Sequence, residues 1–320
     1  MLVPVLLFAL GLVLLIKGGD FFVDGAVGIA RRFHLPELLI GATVVSIGTT
    51  LPEVMVSSQA ALQGSGGISY GNAIGSVICN TSLIAALTVA IHPSPVEKKN
   101  LRIPVAAFFI AALLYALVAY TSGQFRRWQG ICFLCFFVFY LLLTVLEMRK
   151  QPVSAPEEAE GADSPLWKDF CLLLVGAAAI AFGADLLVDN GTLIAAALGV
   201  PESVIGLTMV ALGTSLPELI TAITSLIKGH SSLSLGNIIG ANLFNIILVS
   251  GTAITIRPFS IPAERTLFGV NSSLVVDLPM MFVVMSLLCL PALIRGKLSR
   301  WQGILLLCLY LSFTVFQFVF

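Results

Sequence analysis

Long apolar runs separated by short polar breaks fill the chain from end to end. Runs of about 20 residues match the hydrocarbon thickness of a bilayer when they are helical. Ten are legible, with cores at 2–17, 38–62, 71–91, 104–121, 128–146, 168–187, 204–227, 236–256, 278–294 and 301–319. The runs are solid and do not alternate apolar with polar residues, which argues against a transmembrane β-barrel. The first run, MLVPVLLFALGLVLLIKGG, has no basic leader and no small-residue cleavage site, so it reads as a spanning helix. The expected class is all-α: a polytopic membrane protein with ten transmembrane helices.

The pattern is written twice. A shift of 165 residues aligns 19–93 with 184–258 without a gap, and the 26 identities among those 75 positions cluster in particular places. They include Asp20/Asp185, Asp24/Asp189, Pro36/Pro201, Gly41/Gly206, Thr49/Thr214, Pro52/Pro217 and Glu53/Glu218. Gly71/Gly236, Asn72/Asn237, Gly75/Gly240, Asn80/Asn245 and Pro93/Pro258 also match. A further echo, RWQGI at 127–131 and 300–304, marks the fifth and tenth helices. Each copy therefore holds five helices. Five is odd, so the second copy enters the membrane from the other side and the two five-helix repeats are inverted. Inverted repeats with broken helices recur in transporters, with the site near the midplane at the repeat interface. The expected organisation is a first repeat at 1–146, a disordered cytoplasmic linker at 147–167 and a second repeat at 168–320. The linker is polar and acidic, and its cluster Glu157, Glu158 and Glu160 reads as solvated.

Composition agrees with this picture. The 320 residues are 58% hydrophobic and only 11% charged, with a net charge of zero. A soluble domain carries nearer ~25% charged residues. The placement of Lys and Arg is more informative than their number. With the N-terminus outside, four fall in outer loops (Arg126, Arg127, Arg257 and Arg265) and the other 13 of the 17 in inner ones. The positive-inside rule then places both termini outside, and the cell (inner) membrane is the expected location. The six cysteines all lie in apolar runs, and the Cys132/Cys135 pair reads as helix packing.

The candidate chemistry sits in two interruptions, GTTLPE at 48–53 and GTSLPE at 213–218. Pro52 and Pro217 lack an N–H and clash with the carbonyls of Gly48 and Gly213, so the helix is expected to kink or unwind at each. Loose carbonyls, the hydroxyls of Thr49, Thr50, Thr214 and Ser215, and one carboxylate per motif form an all-oxygen set. Such a set suits a hard cation, Ca2+ or Na+. No soft or imidazole ligand is evident to suit zinc or copper. Only Glu53 and Glu218 lie deep in spanning runs, where an ionised residue is by default functional. One Ca2+, two Na+ or one or two protons would bring the pair close to neutrality, which makes the ligands mutually exclusive and suits exchange. Asn80 and Asn245, in GNAIGSVICN (71–80) and GNIIGANLFN (236–245), are placed to meet the two glutamates. Gly71/Gly75 and Gly236/Gly240 are four apart and permit close helix contact. Asp277 precedes Leu278–Pro279 and is expected to cap the ninth helix. Asp20, Asp24, Asp185 and Asp189 are expected to cap the ends of the first and sixth helices.

GATVVSIGTTLPE with GNAIGSVICN, and GLTMVALGTSLPE with GNIIGANLFN, resemble the two α-repeats of the calcium/cation antiporter superfamily, in its Na+/Ca2+ exchanger family. The resemblance spans nearly the whole chain. It implies that the second, third, seventh and eighth helices line the site, and that the first and sixth slide across the rest to alternate access. It implies Glu53 and Glu218 as shared Ca2+ and Na+ ligands. Thr49 and Thr214 would lend carbonyls to Ca2+ and side-chain or backbone oxygens to Na+. Thr50, Ser215 and Ser76 would bind Na+ by hydroxyl, and the carbonyls of Ser46 and Ala211 would contribute. Asn80 matches the family's central Asn. Two positions depart from the pattern: Ala241 stands where Ser is frequent and Asn245 where Asp is frequent. The Asn also resembles potassium-independent members. The expected function is secondary Ca2+/Na+ antiport, with H+/Ca2+ antiport of the same fold as the alternative.

No cofactor, nucleic-acid partner or obligatory protein partner is implied beyond small cations and the lipid bilayer. An intramembrane enzyme fits less well, because His34, His92 and His230 all fall in loops and HExxH does not occur. A cation channel is also a weaker reading, since it does not require an inverted repeat.

Overall fold

The computed structural model describes residues 2–150, 165–197, 215–262, 266–267 and 269–319. Among these, ten helices follow one another. They are α1 Leu2–Arg32, α2 Glu37–Gln63, α3 Gly66–Ile91, α4 Lys98–Thr121, α5 Arg127–Lys150, α6 Leu166–Ala197, α7 Leu216–Ile227, α8 Ser231–Ile256, α9 Ser273–Arg295 and α10 Arg300–Val319. Among the described residues α1–α6, α8 and α9 are long and apolar enough to cross a membrane. The start of the seventh apolar run, at 204–214, and most of the linker, at 151–164, lie outside the described residues.

The second repeat reproduces several irregularities of the first. Gly64 and Gly229, 165 apart, close α2 and α7 with the same left-handed φ of 83°. The two turns that follow are mates as well, and α3 and α8 begin at Gly66 and Ser231. Both helices then widen into a π-helical turn at matched residues, Asn80–Ala85 in α3 and Asn245–Val249 in α8. Such π-turns often mark functional positions.

The inversion is visible where α1 lies on its mate α6. A Cβ added to Gly11 would stand 2.8 Å from the Gly183 carbonyl oxygen, one on Gly18 3.0 Å from that of Gly176, and one on Gly25 2.6 Å from that of Asp169. The partner numbers fall as the α1 numbers rise, so the mates run antiparallel. Glycine every seven residues keeps one face of α1 bare, and the backbones touch. At 31 and 32 residues, each helix is on the order of 45 Å long and overshoots the bilayer unless it tilts.

That length corrects one expectation. Asp20, Asp24, Asp185 and Asp189 do not cap helix ends; they lie within α1 and α6, and α1 continues to Arg32. Asp24 instead accepts from Lys228 Nζ at 2.7 Å, and the same Nζ reaches the Asp20 carbonyl at 3.0 Å. Nearby, His230 Nδ1 lies 2.8 Å from Glu37 Oε1. The repeat mates of Lys228 and His230 are Gln63 and Ser65, so this ionic stitching belongs to one face of the molecule. Asp277 is a second correction. It lies inside α9, makes no capping bond, and accepts from Gln317 Nε2 of α10 at 2.8 Å.

The remaining helices form a scaffold around α2, α3, α7 and α8. Short strands tie its ends: β1 Gln124–Phe125 pairs with β2 Phe259–Ser260, and β3 Thr266–Leu267 pairs with β4 Val270–Asn271. A bridge between Pro95 and Lys297 repeats the β1–β2 pairing with the roles of the repeats exchanged. Phe125, Phe133 and Tyr115 stack in the buried interior of this scaffold.

Candidate functional site

α2 opens with an α-helical turn at Glu37–Ile40, widens into a π-helical turn at Gly41–Val45 and then runs as α-helix from Ser46 to Gln63. The carbonyls of the wide turn are served by side chains. Ser46 Oγ donates to Gly41 O at 2.7 Å, and the buried Tyr140 hydroxyl of α5 donates to Ala42 O at 3.0 Å. The helix is not unwound at Pro52; the irregularity sits about two to three turns upstream. Proline still removes the N–H that would serve Gly48 O. Gly48, Thr49 and Pro52 line one small cavity together with Pro217, and Phe22 of α1 and Ala177, Ile180 and Ala181 of α6 line it too.

The second motif is built differently. Ser215 is a turn residue with φ −93° and ψ 3°, and α7 begins at Leu216. Pro217 therefore falls in the first turn, where a missing N–H costs nothing. Glu218 falls in the first turn too, where unpaired N–H groups favour negative charge.

Glu53 and Glu218 are fully buried, and none of their four carboxylate oxygens has a hydrogen-bond partner among the described residues. The two side chains are close enough to repel one another directly. The π-turn that starts at Asn80 packs against α7, and the one that starts at Asn245 packs against α2. Each Asn is thus carried to the helix that bears the opposite repeat's glutamate. Thr50 Oγ1, Ser215 Oγ and both amide atoms of Asn80 and of Asn245 are buried and likewise unpartnered. Thr49 lies beside the Glu218 carboxylate and donates its hydroxyl to Asn237 Oδ1 at 3.2 Å. Ser46 and Ser76 are buried. Thr214 and Ala211 lie outside the described residues.

Unpartnered polar atoms normally number a few per hundred residues, and a buried unpaired charge is costly. Here they gather on the residues that the doubled motif singles out. On those residues eight are oxygens and two are the asparagine amide nitrogens, and the pair carries two negative charges. The donor set fits a hard cation, which would give these oxygens their missing partner.

Three features escape a reading of the motif. The first is a brace: the Ser46 hydroxyl, whose single proton is shared with Gly41 O, lies 2.9 Å from Asn237 O and 3.2 Å from its Oδ1, which joins α2 to α8 across the repeats. The matched pair Asn72/Asn237 was the available signal. The second is Cys79, which accepts from the Tyr310 hydroxyl at 3.8 Å and lies near Ser215 and both carboxylates. The surroundings of the site are therefore not oxygen alone. The third is the contact of the Gly236/Gly240 face with α2. A Cβ on Gly240 would stand 2.6 Å from Ala42 Cα, and one on Gly236 would collide with Leu38 O. Among the described residues no atom lies within 4 Å of the corresponding positions at Gly71 and Gly75.

Comparison with known proteins gives concordant results. The family model described as sodium/calcium exchanger protein matches residues 3–146 and 168–319. An uncharacterised membrane protein of Methanocaldococcus jannaschii is 37% identical over 307 residues, covering 95% of this chain and 94% of the relative. The sodium/calcium exchanger MaX1 of Methanosarcina acetivorans is 31% identical over 350 residues, covering 98% of each. The solved sodium-calcium exchanger NCX_Mj, soaked with Na+ and Sr2+, superposes with a TM-score of 0.82 at 34% identity, covering 97% of each chain.

Proposed function

The chain belongs to the sodium/calcium exchanger family, and on that premise we propose that it exchanges Ca2+ for Na+ by alternating access, with Glu53 and Glu218 as the shared ligands. One observation carries the reading: two fully buried carboxylates, one from each inverted repeat, with no other partner among the described residues. Such a pair tolerates one Ca2+ or two Na+ and repels both an empty and an overfilled state. That is the condition for exchange, because the pocket crosses the membrane only when its charge is cancelled. Thr49 and Thr214 add oxygens to both ions, Thr50, Ser215 and Ser76 add hydroxyls to Na+, and the Ser46 and Ala211 carbonyls contribute. Asn80 and Asn245 close the set as neutral amides.

Access alternates as α1 and α6 move as one body over α2 and α7. Their glycine-to-backbone packing supports such a unit, and Phe22, Ala177 and Ile180 stand over the two prolines. The protein sits in the cell membrane with both termini outside, a reading supported by the excess of Lys and Arg in the opposite set of loops. A second reading, H+/Ca2+ exchange at the same carboxylates, is favoured by Ala241 and Asn245. The first removes a hydroxyl and the second a charge from the Na+ side of the site.

Uptake of radiolabelled Ca2+ into proteoliposomes decides between them. Uptake driven by an outward Na+ gradient supports Na+ exchange, and uptake driven only by an outward H+ gradient supports the second reading. Glu53→Gln and Glu218→Gln are each expected to abolish it. Normal exchange by either variant overturns the shared site.

A further inference from the structure

Besides Ser69 and Tyr115, three buried unpartnered hydroxyls have no part in the site described above. Thr221 and Ser225 on α7 and Ser234 on α8 are at most 2% exposed, and none has a hydrogen-bond partner among the described residues. In an apolar helix such a hydroxyl ordinarily returns to the carbonyl four residues back. Thr81, Thr144 and Thr255 do so here, at 2.7, 2.9 and 2.7 Å. The three exceptions share a direction. Thr221 and Ser225 follow Glu218 by three and seven residues, which places all three on one side of α7. They lead about 10 Å from the carboxylate toward the end of the helix. There the chain turns sharply, with His230 N on Ser225 O at 2.7 Å, and enters α8. Ser234, one turn into α8, lines a cavity with Thr88, His92, Ser94 and Ser231.

The stripe is not demanded by the packing. The repeat mates of Thr221 and Ser225 are Val56 and Ala60, so the same helix is built in the first half without these two hydroxyls; the mate of Ser234 is Ser69, which is buried and unpartnered as well. Buried hydroxyls without partners are destabilising, and here they lie along α7 between Glu218 and the cavity that Ser234 lines.

We propose that Thr221, Ser225 and Ser234 form the wall of the route by which a cation passes between Glu218 and the face that carries the α7–α8 turn. Their oxygens replace water of the ion's shell in steps. The route is shut in this state, since all three are buried, and it opens when access alternates. The proposal rests on the exchange reading above.

Single Ser225→Cys and Ala60→Cys variants in proteoliposomes test it, with a cationic, membrane-impermeant methanethiosulfonate applied to either side and the native thiols taken as baseline. Ser225→Cys is expected to react only from the face of the α7–α8 turn and to slow when Ca2+ saturates the site. Ala60→Cys is expected not to react from that face. Equal reaction of Ser225→Cys from both faces, or from neither, overturns the route. Ser234→Cys replaces it if that variant does not fold. In flux, Thr221→Val and Ser225→Ala are each expected to slow Ca2+ uptake by about fivefold to tenfold, the loss of roughly one hydrogen bond to the passing ion. Unchanged flux in both also overturns it. A parent protein that takes up no Ca2+ under either gradient defeats the exchange reading instead, and the labelling still reports whether the stripe is wet.

Discussion

The two halves of the site carry the same motif and hold it in different ways. In the first, Thr50 and Glu53 lie inside an unbroken α-helix; in the second, Ser215 is a turn residue and Glu218 starts a helix. The asparagines differ more. Asn72 Nδ2 donates to Glu53 O at 3.2 Å and to Ser57 Oγ at 2.9 Å, so it secures its own repeat. Asn237 instead accepts from Ser46 and Thr49 of the other repeat, and its Nδ2 has no partner among the described residues. Two sequence differences account for this. Ala222 stands where Ser57 has its mate, and Ala211 where Ser46 has its own. One half is held from within and the other is braced from across the interface. A doubled motif therefore does not imply a doubled mechanical role.

The largest effects test whether the halves are chemically equal. Glu53→Gln and Glu218→Gln should both bring Ca2+ exchange to background, because either leaves one negative charge to neutralise a divalent ion. The ion-free proteins should separate. Each variant removes a buried unpaired charge and should raise the melting temperature. The gain should be larger for Glu53→Gln by about 0.3–1 kcal/mol, since Glu218 is already favoured by its helix N-terminus. Equal gains would mean that the difference in helix start has no electrostatic consequence.

Next in size is the brace. Asn237→Ala removes the Oδ1 that accepts from Thr49 and faces Ser46, while the Ser46 contact to the backbone carbonyl of residue 237 persists, at a cost of about 1–3 kcal/mol for buried groups left unsatisfied. Asn72→Ala acts on a half-buried side chain whose partners lie in its own repeat, and should cost roughly 0.5–1.5 kcal/mol. Denaturation of the purified variants gives both numbers. The reverse order would place the mechanical coupling in the wrong half.

These cases also show how far the sequence could be read. The repeat offset alone anticipates the shared turns at Gly64 and Gly229 and the matched asparagines that open the π-turns, because identical local sequence meets an identical, inverted environment. The two buried glutamates were legible because a charge in the middle of an apolar run is expensive and persists only where it has a role. The extent of α1 was not. Asp20 and Asp24 look like a helix end, yet the helix continues because Lys228 of a distant segment compensates them. Nor was the partner of Asn237, which depends on which face of α2 meets α8. Thr221 and Ser225 were hidden for a different reason. A lone hydroxyl in an apolar run is unremarkable until its spacing from Glu218 is counted.

A smaller effect distinguishes the ions. Asn245→Asp, on the half with Ala241, restores a titratable group and should change the Na+ dependence of Ca2+ uptake more than the apparent affinity for Ca2+. Equal shifts in the two would contradict the separation of roles between the carboxylates and the neighbouring amides.

The smallest expected effect is a gain. If Asn237 lacks a partner for its Nδ2 because Ala222 has replaced the counterpart of Ser57, then Ala222→Ser should supply it. The site is fully buried, and the first half shows the geometry that such a hydroxyl adopts, with Asn72 Nδ2 on Ser57 Oγ at 2.9 Å. One neutral hydrogen bond is worth about 0.5–1.5 kcal/mol, less some overpacking from the added oxygen. The variant should therefore melt slightly higher, and Asn237→Ala in the same background should abolish that gain. The consequence for transport runs the other way. Tying Asn237 Nδ2 to its own repeat makes the second half resemble the first, and fixes the amide whose Oδ1 faces Ser46 and Thr49. Slower Ca2+ exchange together with a higher melting point would mean that the unpartnered amide is a deliberate looseness at the repeat interface. A higher melting point with unchanged exchange would reduce the asymmetry between the halves to packing alone.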